Sequence, residues 1–179
     1  MQYTLILKPP AGIRSRITRI KKNLEAVYGY TGSLSCKGVH ITMVYLRNPE
    51  YMDVHAVESI CKSTSPFYFD IGGAGYFQKE KNGKKSYIVY LSVIPSPEMV
   101  AFHSMLVRSL DLNAMDRGIF VPHITLIRKN VDAVRLNEIM EYVKNLNIAG
   151  HFYAEYLILG KRKKQNTHWH FEHFDFSKI

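Results

Sequence analysis

Hydrophobic positions along this chain change period several times, and each change marks an element. Residues 2–8 form an apolar run stopped by Pro9-Pro10, which predicts a strand. Ile13, Ile17, Ile20, Leu24 and Val27 then recur at helical spacing, which predicts an amphipathic helix with these residues turned inward. Arg14, Arg16, Arg19, Lys21 and Lys22 fall on its other face and are expected in solvent. The turn-rich stretch from Gly29 to Gly38 leads into a strand, Val39–Leu46, broken by Arg47-Asn48-Pro49, and a short helix follows from about Asp53 to Lys62. Pro66 to Ile71 predicts a strand, and Gly72-Gly73-Ala74-Gly75 is expected to turn the chain. Tyr76–Lys79 and Lys84–Ile94 bracket Asn82-Gly83, a strong hairpin signal with Lys79, Lys81, Lys84 and Lys85 crowded at its tip.

The second half repeats the grammar of the first. Ser96-Pro97-Glu98 is a helix start, with Met99, Phe102, Leu106 and Leu110 as its buried stripe. A strand is predicted over residues 119–128. Asp132 caps another helix, with Leu136, Ile139, Val143 and Leu146 facing inward. Two strands, about 150–159 and 168–176, close the chain across the basic run Lys161-Arg162-Lys163-Lys164. A strand, a helix and a further strand thus recur in each half, with another helix after each, although identity between the halves is too low to define a repeat.

The third element of each half carries the chemistry. Alternation along a strand puts His40 and Thr42 on one face of Val39–Leu46, with Val39 and Ile41 on the other. The same parity places His123 beside Thr125, with Ile124 turned away. Two imidazoles and two hydroxyls are therefore offered from two matched half-sites.

Other chemistries lack their residues. The glycines at 72–75 are not followed by Gly-Lys-Ser/Thr, so they form no phosphate-cradling loop, and no Gly-x-Ser-x-Gly elbow presents a serine nucleophile. Cys36 and Cys61 have no zinc-site spacing. Of His168, His170 and His173, strand parity puts the last opposite the other two, so no metal site is expected. Cys36 would share the motif face if its strand extended that far, but an incidental thiol is the preferred reading.

Acid–base work then falls to the two imidazoles, whose unperturbed pKa lies near neutrality. A displacement that needs one proton removed from an attacking oxygen and another delivered to a leaving oxygen on the opposite side would suit such a pair. Two facing histidines meet that need without a metal. Thr42 and Thr125 offer hydroxyls that can donate to oxygens on which transition-state charge is held.

Composition narrows the partner. Of 179 residues, 24 are Lys or Arg and 15 are Asp or Glu, a net charge of +9 that favours polyanions, nucleic acid foremost. No signal peptide or membrane-spanning run is apparent, so a cytoplasmic protein with reduced thiols, away from membranes and monomeric, is expected.

Paired His-hydrophobic-Thr-hydrophobic motifs at this separation resemble the 2H phosphoesterases, and the flanks are similar to their 2′-5′ RNA ligase-like cyclic phosphodiesterases. Leu5–Pro10 resembles that family's opening strand, Gly75-Tyr76-Phe77 sits where it has Gly-x-Phe, and Phe120–Arg128 follows its second motif closely. Leu157–Arg162 departs by lacking a Ser often found there, and Trp169 stands near a usual Tyr. The resemblance implies an α+β fold over residues 1–179, a single bilobal domain. Its two lobes would be pseudo-symmetric, with mainly antiparallel sheets flanked by helices and a central active-site groove. It implies catalytic His40 and His123, phosphate-binding Thr42 and Thr125, no metal and no cofactor. The implied reaction opens a 2′,3′-cyclic phosphate on a nucleoside or RNA end to a 2′-phosphate, with 2′-5′ ligation possible in reverse. It suggests His123 as base and His40 as acid, an order the residues themselves leave open. Hydrolysis of 2′-5′ oligoadenylate and a non-catalytic RNA-binding module are the alternatives.

Overall fold

A computed structural model describes residues 1–30, 38–46, 49–112, 119–163 and 168–177. Its first half runs β1 (Gln2–Leu7), α1 (Ala11–Tyr28), β2 (Ile41–Leu46), a single 3-10 turn at Pro49–Tyr51 and α2 (Val54–Ser63). The long hairpin β3 (Phe67–Lys81) and β4 (Lys84–Pro95) follows, then α3 (Pro97–Ser109), β5 (His123–Val131) and α4 (Ala133–Asn145). The chain closes with β6 (Ala149–Ala154), β7 (Tyr156–Arg162) and β8 (His170–Asp175). These strands form two antiparallel sheets, ordered β2-β1-β7-β8 and β5-β4-β3-β6. The expected α+β architecture of two lobes is present.

The internal echo is structural. β1–α1–β2–α2 in one lobe corresponds to β4–α3–β5–α4 in the other, with β1 pairing β2 and β4 pairing β5. Each motif strand is the edge of its sheet. Local signals explain the boundaries of the second unit. Ser96 Oγ accepts from Met99 N at 3.2 Å with Pro97 in the first turn, and Asp132 Oδ1 accepts from Arg135 N at 2.9 Å. Asp53 caps α2 in the same way, accepting from Ala56 N at 3.0 Å. The expected hairpin turns at Asn82 and Gly83, both with positive φ as that tight turn demands.

Burial alternates along the strands, so each sheet has a packed face and an open one. In the second sheet Phe67, Phe69, Ile71, Val89, Leu91 and Val93 are buried against α3 and α4, while Tyr68, Asp70, Tyr90, Ser92 and Ile94 take the opposite face. In the first sheet Leu5, Leu7, Leu157, Leu159 and Phe174 join the main core. Phe176, just beyond β8, packs on Phe67 and Phe102 at ring separations of 5.5 and 5.0 Å, which ties the end of the first sheet to the second lobe.

Four expectations are corrected. Gly72 to Gly75 does not turn the chain: β3 continues through it, and a bulge between Ile71 and Ala74, with Gly73 at φ 77°, absorbs the irregularity. The expected strand over 150–159 is two strands, β6 pairing with β3 and β7 with β1, so the chain changes sheets at Glu155. Val27 is 69% exposed instead of inward, in the last turn of α1 just before Gly29 ends the helix in the left-handed conformation. Lys21 is buried instead of solvated. Within the run at 161–164, Lys161 pairs with Glu172 at 3.3 Å, and Arg162 lies over the Trp169 ring and contacts Gln2. Lys164 and Cys36 lie outside the described residues.

Candidate active site

The strands that carry the two motifs approach each other where the lobes abut. β2 and β5 pass with Cα atoms within 8 Å of each other. His40, Thr42, His123 and Thr125 are all half-buried, neither sealed in the core nor fully in water.

The two half-sites share their local geometry. His40 Nδ1 lies 2.8 Å from the Gly38 carbonyl, and His123 Nδ1 lies 2.8 Å from the Val121 carbonyl. A carbonyl oxygen can only accept, so each Nδ1 carries a proton and donates it, which leaves Nε2 as the nitrogen that takes or gives a proton. Different residues achieve this. Gly38 adopts φ 70°, a conformation that favours glycine, whereas Pro122 has its φ set by its ring and its carbonyl held by Val93 N at 3.2 Å.

Each strand then bulges directly after its threonine. Ile6 pairs with Thr42 but Leu5 with Val44, and Tyr90 pairs with Thr125 but Val89 with Ile127. One extra residue reverses the parity beyond it, so Tyr45 and Arg128 come to the same face as their His-x-Thr residues, and both are exposed. Simple alternation assigns both to the opposite face. No sequence signal distinguishes the bulged position.

His123 sits among aromatic rings. Phe77 meets it edge-on at 4.9 Å and Tyr90 lies 5.2 Å away, with Phe77 and Tyr90 themselves 4.4 Å apart. A Cβ on Gly75 would fall 2.6 Å from the Tyr90 ring, so the glycine lets Tyr90 lie against the backbone of β3. The Gly-x-Phe element therefore has a physical task here: glycine makes room for one ring that flanks the histidine, and phenylalanine supplies the other. Behind the motif, Phe120 stacks on His103 of α3 at 3.9 Å. Burial holds the His103 imidazole below its usual pKa, so it packs as a neutral ring.

Lys21, expected in solvent, instead reaches the second motif strand. It lies on α1, in the first motif's half of the chain, yet its Nζ donates to the main-chain carbonyl of Thr125 at 3.1 Å. It is only 3% exposed, and burial, with a smaller push from Arg128, lowers its pKa to about 8.

Other candidates stand apart. The Cys61 thiol is buried and pushed up to about 12, first by desolvation and then by Glu58, so it stays protonated and inert. Among the described residues no group of three or more His, Cys, Asp or Glu is placed to hold a metal ion. None of the described helices is long and apolar enough to cross a membrane. A surface hollow of about 410 Å³ on α1, lined by Arg14, Arg19 and Lys22 among others, includes none of the four motif residues.

Solved structures share this fold. TT0787 of Thermus thermophilus is similar with a TM-score of 0.67 at 17% identity, covering 98% of both chains. Escherichia coli LigT is similar in its complexes with phosphate (TM-score 0.65) and with 3′-AMP (0.64), each at 16% identity over 99% of this chain and 98% of that one. No curated protein gives a significant sequence match. Residues 9–166, which contain both motifs, the Gly-x-Phe element and every strand from β2 to β7, match the 2′-5′ RNA ligase superfamily, and the chain belongs to that family of 2H phosphoesterases.

Proposed function

We infer that this protein is a metal-independent phosphodiesterase that opens a 2′,3′-cyclic phosphate on a nucleoside or RNA end, leaving a 2′-phosphate. One observation carries the reading: two histidines at the starts of the edge strands of two lobes have the same tautomer fixed in the same way, each followed by a threonine on its own face. His123 acts as base and His40 as acid in the hydrolytic direction. Water attacks phosphorus as His123 Nε2 takes its proton, and the bond to the 3′-oxygen breaks as His40 Nε2 protonates it. Thr42 and Thr125 donate to the non-bridging oxygens and hold their charge through the transition state. The chain works as one bilobal unit over residues 1–179, since the reaction needs a proton carrier from each lobe. LigT, a structural neighbour crystallised with phosphate and with 3′-AMP, makes a phosphorylated nucleotide the natural ligand class to test first.

The test is turnover of a nucleoside 2′,3′-cyclic phosphate. Positioned acid–base assistance is worth about 10²–10⁴-fold, so His40→Ala and His123→Ala should each lower kcat by at least about a hundredfold. The double variant should lose less than the product of the two, because the residues act in one step. A folded single variant with wild-type turnover would make the motifs structural and favour RNA binding without catalysis.

A further inference from the structure

The open face of the second sheet does not end at His123. Register carries it from β5 through Ser92 and Ile94 on β4, then Asp70 and Tyr68 on β3, to His151 and Tyr153 on β6. At that far edge three rings form one cluster. Tyr68 stacks on His151 at 4.5 Å with 11° between planes, and its ring centre is 4.6 Å from that of Tyr153. His151 Nδ1 is 2.6 Å from Asp70 Oδ1, which holds the imidazole plane in the stack. The rings touch one another yet remain open to solvent, Tyr68 at 50% and Tyr153 at 42%. Ile94, directly opposite Asp70 and on the way from His123, is 58% exposed. One continuous open face, through Ser92, Ile94 and Asp70, thus joins the candidate active site to a preassembled aromatic platform.

We propose that the Tyr68–His151–Tyr153 cluster is a base-stacking subsite for single-stranded RNA on the 5′ side of the reacting end. The proposal rests on the cyclic-phosphate reading and names the substrate class for it. A 2′,3′-cyclic phosphate is the last unit of its strand, so all remaining nucleotides lie 5′ of it and must leave the site along one surface. Two strand spacings across and about four residues along separate Tyr68 from His123, a distance on the order of 15 Å. A mononucleotide at the histidines does not reach that far, whereas the next few nucleotides of a strand do. Stacking uses the face that every base has, so the platform favours chain length over base identity. The net charge of +9 draws in the phosphates that accompany those bases.

The experiment compares two substrates, a nucleoside 2′,3′-cyclic monophosphate and a single-stranded RNA hexamer ending in the same group. Tyr68→Ala with Tyr153→Ala should raise KM for the hexamer about five- to 150-fold, the range for losing one stacked base. Turnover of the mononucleotide should be unchanged. Tyr68→Phe with Tyr153→Phe keeps both rings and should keep hexamer affinity, which separates lost stacking from a damaged sheet edge. An unchanged KM for the hexamer, or equal losses on both substrates in a folded variant, overturns the proposal. If the wild type turns over neither substrate, the phosphodiesterase reading fails by itself. Fluorescence anisotropy with a labelled hexamer ending in a 2′-phosphate then decides the platform alone. Weakened binding in the Ala pair but not the Phe pair sustains it, and equal binding in all three proteins overturns it.

Discussion

Lys21 and Thr125, far apart in sequence, are joined by a 3.1 Å hydrogen bond from the lysine ammonium to the threonine's main-chain carbonyl. A buried cation on α1 thereby braces the strand that carries the second motif. Its carbonyl partner belongs to the residue whose hydroxyl is assigned to phosphate, so the contact links helix placement in one lobe to the candidate site in the other.

This contact has a pH signature. In the unfolded chain Lys21 keeps an ordinary pKa of 10.5, and in the folded protein it is near 8, so between those values the unfolded state holds more protons. Raising pH across that window therefore favours the folded state, by about 3 kcal/mol at most. Lys21→Met keeps the chain length, removes the titration, and leaves the Thr125 carbonyl unpaired at a cost of about 1–3 kcal/mol. Urea unfolding of both proteins below pH 8 and near pH 10.5 should show wild-type stability rising relative to the variant. Parallel stabilities at both pH values would mean that the lysine is not buried as a cation.

Thr42→Val and Thr125→Val preserve branching at Cβ while deleting one donor each. If both hydroxyls hold phosphoryl oxygens in the transition state, each change should cost about 2.7–4 kcal/mol, roughly 10²–10³ in kcat. Steady-state kinetics on a cyclic nucleotide measure this directly. Wild-type kcat in both variants would remove the threonines from the mechanism.

Gly75→Ala tests the ring arrangement beside His123. Its new methyl would fall 2.6 Å from Tyr90, forcing that ring to swing away from β3 and disturb its contacts with Phe77 and His123. Overpacking of this kind costs about 1–3 kcal/mol, and kcat should fall as well. Replacing Tyr90 by Ala in the same protein removes the clash, so the two changes should couple by about 0.5–3 kcal/mol in a double-mutant cycle. Additive losses would show that glycine here serves the backbone alone.

Excess EDTA should leave the rate unchanged if imidazoles and hydroxyls run the reaction. The pH–rate profile should be bell-shaped, with each histidine variant losing one limb. Loss of activity on chelation, restored by Zn²⁺ or Mg²⁺, would rule out the two-histidine mechanism.

Short-range patterns made much of this protein legible before any coordinates. Ser96 and Asp132 announce helix starts because a cap needs only its own side chain and amides three residues on. Asn82-Gly83 announces a hairpin because the turn itself demands positive φ. His40, Thr42, His123 and Thr125 share faces in pairs because alternation over two residues tolerates no slip. Tertiary structure decided what depends on a partner strand or a neighbouring helix. Glycines 72 and 73 look like a turn, but pairing with β4 and β6 on either side pulls them into one strand and leaves a bulge. Bulges after both threonines bring Tyr45 and Arg128 to the motif faces, and nothing in the alternation of either strand records the extra residue. Lys21 reads as one more charge on a basic helix face, and only the docking of α1 against β5 buries it. Periodicity reports which residues share a face of their own element; what that face meets is set by elements distant in the chain.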